Sequence, residues 1–164
     1  MSSSFSLQIA EFIAKTKANA DLVVRATVMK IDEKIVQRSP VGDAKYWQRP
    51  APPGYAGGRF RGAWAISIGS PSAGVRDLID KDGSATIAAH GSTISAAKAG
   101  DVIYLVNNLP YAKRIEEGWS RQAPVGVVAL TVVEFHTIVD NAVNGVRDGT
   151  TANEFSQGYS TYKL

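Results

Sequence analysis

The chain has 164 residues, no cysteine, and 18 Lys plus Arg against 15 Asp plus Glu, a net charge of +3. That length suits one domain with its own core, and 45% hydrophobic with 20% charged residues is a globular rather than a disordered balance. Absence of cysteine excludes a disulfide framework, a cysteine zinc site and a thiol nucleophile, and suits a reducing cytoplasm. The longest apolar runs fall far short of the roughly 20 residues of a membrane-spanning helix, so no membrane is expected. The opening MSSSFSLQIAEF lacks the cationic stretch of a secretory signal, and none is expected.

From Ser6 to Arg38 there is neither Pro nor Gly. Ile9, Ile13, Thr16, Ala20, Val24, Thr27, Ile31 and Ile35 step by three or four, one continuous stripe of a helix. Ser39-Pro40 ends it, because the residue before proline avoids the α region. About 30 residues rising ~1.5 Å each make roughly 45 Å, longer than a small domain is wide. Part of this helix is therefore expected to pack outside its own subunit.

Residues 39–58 hold four of the seven prolines, with Gly42, Gly54, Gly57 and Gly58. Tyr46, Trp47 and Tyr55 alternate with Lys45 and Arg49, and the stretch reads as an extended arm that orders against a partner. Ala65–Ile68 alternates as a short strand. Asp82-Gly83, between Leu78-Ile79 and Thr86-Ile87, predicts a hairpin turn, and residues 92–99 a helical turn or two before Gly100. Val102–Val106 reads as a buried strand, and Tyr111–Glu117 as a short helix with Pro110 at its start and Gly118 beyond its end. A last helix is predicted over Pro124–Asn144, with Val128, Val132, Phe135, Val139 and Val143 on one face. Beyond Arg147 the composition is polar, punctuated by Phe155, Tyr159 and Tyr162.

The expected fold is α+β: a long N-terminal and a C-terminal helix packed on a small, mainly antiparallel sheet. Residues 1–146 form one domain with the 39–58 arm inserted, and 147–164 an extended tail.

Patterns that carry chemistry fail in turn. Gly57–Gly62 lacks the Gly-Lys-Ser/Thr ending of a phosphate-binding loop and the spacing of a dinucleotide fingerprint. Gly118-Trp119-Ser120-Arg121-Gln122 carries Gln122 where a nucleophile elbow needs glycine. His136 and Asp140 could share a helix face but have no third ligand, and Asp80 and Asp82 lack the other oxygens of a calcium loop. Glu116 and Glu117 are adjacent and so diverge by about 100° on a helix. No catalytic residue, cofactor or metal is expected. What remains is the basic segment from Arg38 to Arg61, with Lys45, Arg49 and Arg59 between them and Asp43 as its one acid. Arginine forks and aromatic rings suit a protein surface or a nucleic acid. Interface candidates are Tyr46, Trp47, Arg49, Tyr55, Arg59, Arg61, Phe155, Tyr159 and Tyr162.

Two segments carry a resemblance. Ser39-Pro40-Val41-Gly42-Asp43 and, after an insertion of 44–56, Gly57-Gly58-Arg59-Phe60-Arg61-Gly62-Ala63-Trp64 resemble the S/T-P-V-D-T-G-x-L-R-x-S/A signature of phage minor-tail or neck morphogenesis proteins. Val106–Gly118 resembles the same family's N-x-x-x-Y-A-x-x-x-E-x-G segment. The layout is similar over about residues 5–145, while the 44–56 insertion and the tail have no counterpart. The resemblance implies a non-enzymatic virion protein of the head-to-tail neck: a tail-completion ring subunit, expected to be hexameric, assembled in the host cytoplasm. Its implied partners are its own copies and adjacent head-closure, tail-terminator or tail-tube proteins, with DNA passing through the ring. The alternative from a different class is a nucleic-acid-binding module using the 38–61 segment.

Overall fold

A helix of 37 residues, α1 (Ser2–Arg38), is the axis on which the chain is assembled. The computed structural model describes residues 2–46 and 49–151. Along the chain follow a 3-10 turn at Ala44–Tyr46, α2 (Arg59–Gly62), β1 (Trp64–Ile68), α3 (Ser84–Ala96), β2 (Ile103–Asn107), α4 (Ala112–Glu116), α5 (Val128–Val133) and α6 (Phe135–Arg147). The fold is α+β: helix-rich, with β1 and β2 paired antiparallel in the register Trp64↔Asn107, Ile66↔Leu105, Ile68↔Ile103. The long N-terminal helix and the small antiparallel sheet are as the sequence predicts, and α3, packed on α1 and β1, is a full helix where only a turn or two is expected.

The core lies at the C-terminal end of α1. Ile35 and Val36 meet Phe60, Ala63, Trp64, Leu109, Ile115, Ala123 and Val127. Trp64 and Phe60 stand edge-to-face with centroids 5.9 Å apart, and Phe60 also meets Tyr111 at 6.3 Å. Trp64 and Ile115 are thus core residues, with Tyr111 partly buried against them.

The Asp82-Gly83 hairpin is a correction. Gly83 (φ 88°) precedes α3 instead. Asp80, buried, accepts from the Gly83 and Thr86 backbone N–H groups at 2.8 Å and from the Thr86 hydroxyl at 2.7 Å. Asp82 accepts from Ser84 N–H at 2.8 Å. Two aspartates thus bond the N–H groups that a helix start leaves free, which outcompetes strand pairing.

The single Pro124–Asn144 helix is a second correction. Gly126 has φ 81°, so the helix starts at Val128, and it breaks at Glu134 (φ −87°, ψ 0°) after the β-branched run Thr131-Val132-Val133. Glu134 turns its carboxylate to Lys34 and Arg38 at 2.8 and 2.7 Å. α6 then packs along α1 through Ile138 and Ala142.

Glycines in the 57–62 segment have a packing task. A Cβ at Gly62 would meet Leu78 O at 2.2 Å, and one at Gly58 would meet Asp80 O at 2.6 Å. The chain at 78–80 lies directly on this segment, and Asp80 N–H donates to Gly58 O at 3.3 Å.

Candidate interaction surfaces

The two segments that carry the resemblance lie far apart in sequence and meet in space. Ser39, wholly buried, accepts the Trp64 indole N–H at 2.7 Å and donates to Ile35 O at 2.8 Å. Asn107 donates through Nδ2 to Phe60 O at 2.9 Å. Glu116 accepts the N–H groups of Val127 and Val128 at 2.9 and 3.0 Å and of Ala129 at 2.7 Å, which caps α5. Burial works against the Glu116 charge, but these three donors outweigh it and hold the carboxyl below its ordinary value.

Arg61 is half-buried and bonded within its own chain. Its guanidinium donates to Gln37 O and Ser39 O, both at 2.8 Å, and to Lys81 O at 2.6 Å. A fixed cation on the terminal carbonyls of a long helix complements its dipole. Arg38 is occupied by Glu134 and Thr131, Lys45 pairs with Asp43 at 2.7 Å, and Arg59 pairs loosely with Asp77 at 3.5 Å. Arg49 is exposed. The basic segment therefore spends most of its charge within the chain.

The arm closes on itself at its base. Gln122 accepts from Val41 N–H at 3.1 Å and donates back to Val41 O at 3.0 Å. A Cβ at Gly42 would strike the Tyr55 hydroxyl, and one at Gly57 would strike Gly42 O, so Tyr55 lies over the loop's own base. Of the other interface candidates, Trp47, Phe155, Tyr159 and Tyr162 and the Tyr46 side chain lie outside the described residues.

Beneath α3, His90 and Asp32 form a buried pair, Nδ1 to Oδ1 at 2.8 Å. Arg76 reaches both His90 Nε2 and Trp64 O at 3.2 Å. A proton on Nδ1 donates to Asp32 and leaves Nε2, which lies 3.1 Å from Trp64 O, to accept from Arg76. Burial raises the Asp32 carboxyl above its ordinary value, against the hydrogen bond and charge of His90. The pair has the donor order of a general base, yet both residues are enclosed, and it joins α1, α3 and β1 rather than facing a substrate.

Two groups of exposed apolar residues stand apart from this network. Residues 5–20 of α1 are exposed throughout, about 24 Å of helix. The body's contact with α1 starts where Asp21 accepts Ala99 N–H and Arg25 donates to Ala97 O, both at 2.8 Å. Phe5 and Phe12 are each 68% exposed, and Ile9 and Ile13 are exposed on the same side of the helix. On α5 and α6, Val132, Val133 (81% exposed), Phe135 and Val143 are exposed as well. The periodicity that places Val128, Val132, Phe135, Val139 and Val143 on one face does not say which way it turns; the buried residues of α6 are Ile138 and Ala142, while Val132, Phe135 and Val143 are exposed. A single indole, Trp119, is 73% exposed on the turn after Gly118.

Among the described residues no helix is long and apolar enough to cross a membrane, and no cluster of three potential metal ligands occurs. Comparison with protein-family models, with curated proteins and with solved structures found no match.

Proposed function

We propose that this chain is a structural subunit of a ring in the head-to-tail neck of a long-tailed phage, a tail-completion component without catalytic activity. The resemblance of Ser39–Asp43, Gly57–Trp64 and Val106–Gly118 to that family supplies the identity. The observation that supports it is their convergence: the matching segments form one hydrogen-bonded cluster through Ser39, Trp64, Phe60 and Asn107. Residues that a short signature would keep together are thus together for a physical reason. A ring also requires two different faces per subunit, one for each neighbour. The exposed stripe of α1 is a candidate for one of them.

A nucleic-acid-binding role is less well supported, because Arg38, Lys45, Arg59 and Arg61 have partners within the chain. Electron microscopy of purified protein mixed with isolated tails of the encoding phage tests the proposal. Density at one end of the tail tube, with a central opening, is the expected result. Tails left bare at both ends, together with strong salt-sensitive binding to duplex DNA, would overturn it in favour of the nucleic-acid module.

A further inference from the structure

We propose that His90 is a proton-operated latch on Arg76, which ties down the connection from β1 to α3. With Nε2 bare, the ring holds the guanidinium; a proton on Nε2 turns the ring to Trp64 O as a donor and releases Arg76. The device belongs to the fold and is independent of the ring reading. Three atoms stand at the corners of a nearly equilateral triangle. His90 Nε2 lies 3.2 Å from Arg76 Nη1 and 3.1 Å from Trp64 O, and Arg76 Nη1 lies 3.2 Å from Trp64 O. A bare Nε2 accepts one Nη1 hydrogen while the other goes to the Trp64 carbonyl. A protonated Nε2 donates to the same carbonyl, but it then faces Nη1 as donor to donor and cation to cation. Both states use the carbonyl, and only the first favours Arg76.

The other side of the ring is fixed. Nδ1 lies 2.8 Å from Asp32 Oδ1, and Asp32 Oδ2 is buried without a hydrogen-bond partner among the described residues, so the Nδ1 proton stays on the carboxylate in both states. The charges that face the ring are few. From α1 it meets Asp32, with Glu33 beside it, from β1 only the Trp64 carbonyl, and from the connection Arg76. Asp80, one turn back, is occupied by Gly83 and Thr86, and Arg25 of α1 by Ala97 O at the far end of α3. On α2, Arg61 bonds to carbonyls of residues 37, 39 and 81, and Arg59 pairs with Asp77. One carboxylate and one guanidinium therefore oppose each other across the imidazole. Arg76 is the inward tie of residues 70–77. Their other ties, from Asn108 Nδ2 to Ser72 O at 2.9 Å and Gly74 O at 2.7 Å and from Arg59 to Asp77 at 3.5 Å, are exposed. Loss of the Arg76 bonds thus loosens this stretch and leaves the core in place.

Trypsin reads the latch directly, because a guanidinium held against His90 is not free to enter the protease. The bond after Arg76 is Arg-Asp, and so is the bond after exposed Arg147, which serves as the reference in the same tube. The rate of cutting after Arg76, relative to Arg147, should rise as pH falls from about 8 to about 5.5, the range in which imidazoles titrate. The rise is limited to about tenfold per pH unit, the slope for one proton. Long-range proton–nitrogen NMR of the two histidines, His90 and exposed His136, follows the Nε2 proton over the same range, and its uptake should coincide with the rise. His90→Gln, whose amide does not titrate, should give a ratio that is flat in pH; if that variant does not fold, the two wild-type measurements decide alone. A constant ratio while Nε2 takes up its proton would overturn the latch. So would a ring that carries both protons at the upper end of the range with Arg76 still protected, a ring that gains no second proton within it, or a folded His90→Gln that keeps the wild-type pH dependence.

Discussion

Trp64 and Ser39 share a buried hydrogen bond of 2.7 Å, indole N–H to hydroxyl, that ties the first residue of β1 to the end of α1. The hydroxyl in turn donates to Ile35 O, so the bond extends the last turn of the helix into the sheet. Ser39→Ala should leave the indole N–H without a partner in a dry site and cost about 1–3 kcal/mol. Thermal unfolding followed by tryptophan fluorescence reads this as a lower Tm. An unchanged Tm would show that the bond contributes nothing.

Gly62 offers a test in which the usual sign is reversed. Exchanging glycine for alanine in a helix commonly gains up to about 1 kcal/mol. At Gly62 the added methyl would meet Leu78 O at 2.2 Å, so Gly62→Ala should destabilise by about 1–3 kcal/mol. Denaturant unfolding measures the difference, and a stabilised variant would mean that 78–80 does not lie on α2 as described.

Much of this architecture was legible in the sequence. The long helix followed from the unbroken stripe and the absence of Pro and Gly, and both strands from their alternating or apolar runs. The start of α3 was not, because its capping depends on Asp80 folding back over Gly83, a tertiary arrangement that mimics the local signature of a hairpin. Nor was the exposure of Val132, Phe135 and Val143. Consecutive Val132 and Val133 cannot both point inward, but only the pairing of Glu134 with Lys34 and Arg38 decides where the helix breaks. The partners of the basic segment were not legible for a related reason: composition counts charges, whereas Arg61 and Arg38 bond to carbonyls and a carboxylate of their own chain.

Glu116 gives the fold a pH dependence. Its folded value lies below the ordinary 4.5 because of the three N–H donors at the start of α5, which outweigh its burial. A depressed carboxyl stabilises the fold fully above its unfolded value, and this contribution is lost as pH falls through the folded one. Glu116→Gln should cost about 1–2 kcal/mol at neutral pH, the worth of a helix cap. It should also flatten the decline in stability below pH ~4.5. Parallel pH titrations of unfolding free energy that remain the same distance apart at all pH values would contradict this role.

The arm should yield to protease at its tip and not at its base. Gln122 holds Val41 by two hydrogen bonds, while Lys45 lies farther out and exposed. Limited trypsinolysis of the free protein should therefore cut first after Lys45, and Gln122→Ala should hasten that cut several-fold through a looser base. Equal rates in wild type and variant would mean that Gln122 does not close the loop.

Self-assembly into a closed ring is the central claim, and the molar mass of the purified full-length chain over a range of concentrations tests it most directly. Multi-angle light scattering should show the mass rising from the 17.5 kDa of one chain to a fixed multiple and staying there as concentration increases further. A mass that remains at one chain, with isolated tails present or absent, would contradict the ring subunit, and a mass that grows without limit would contradict its closure.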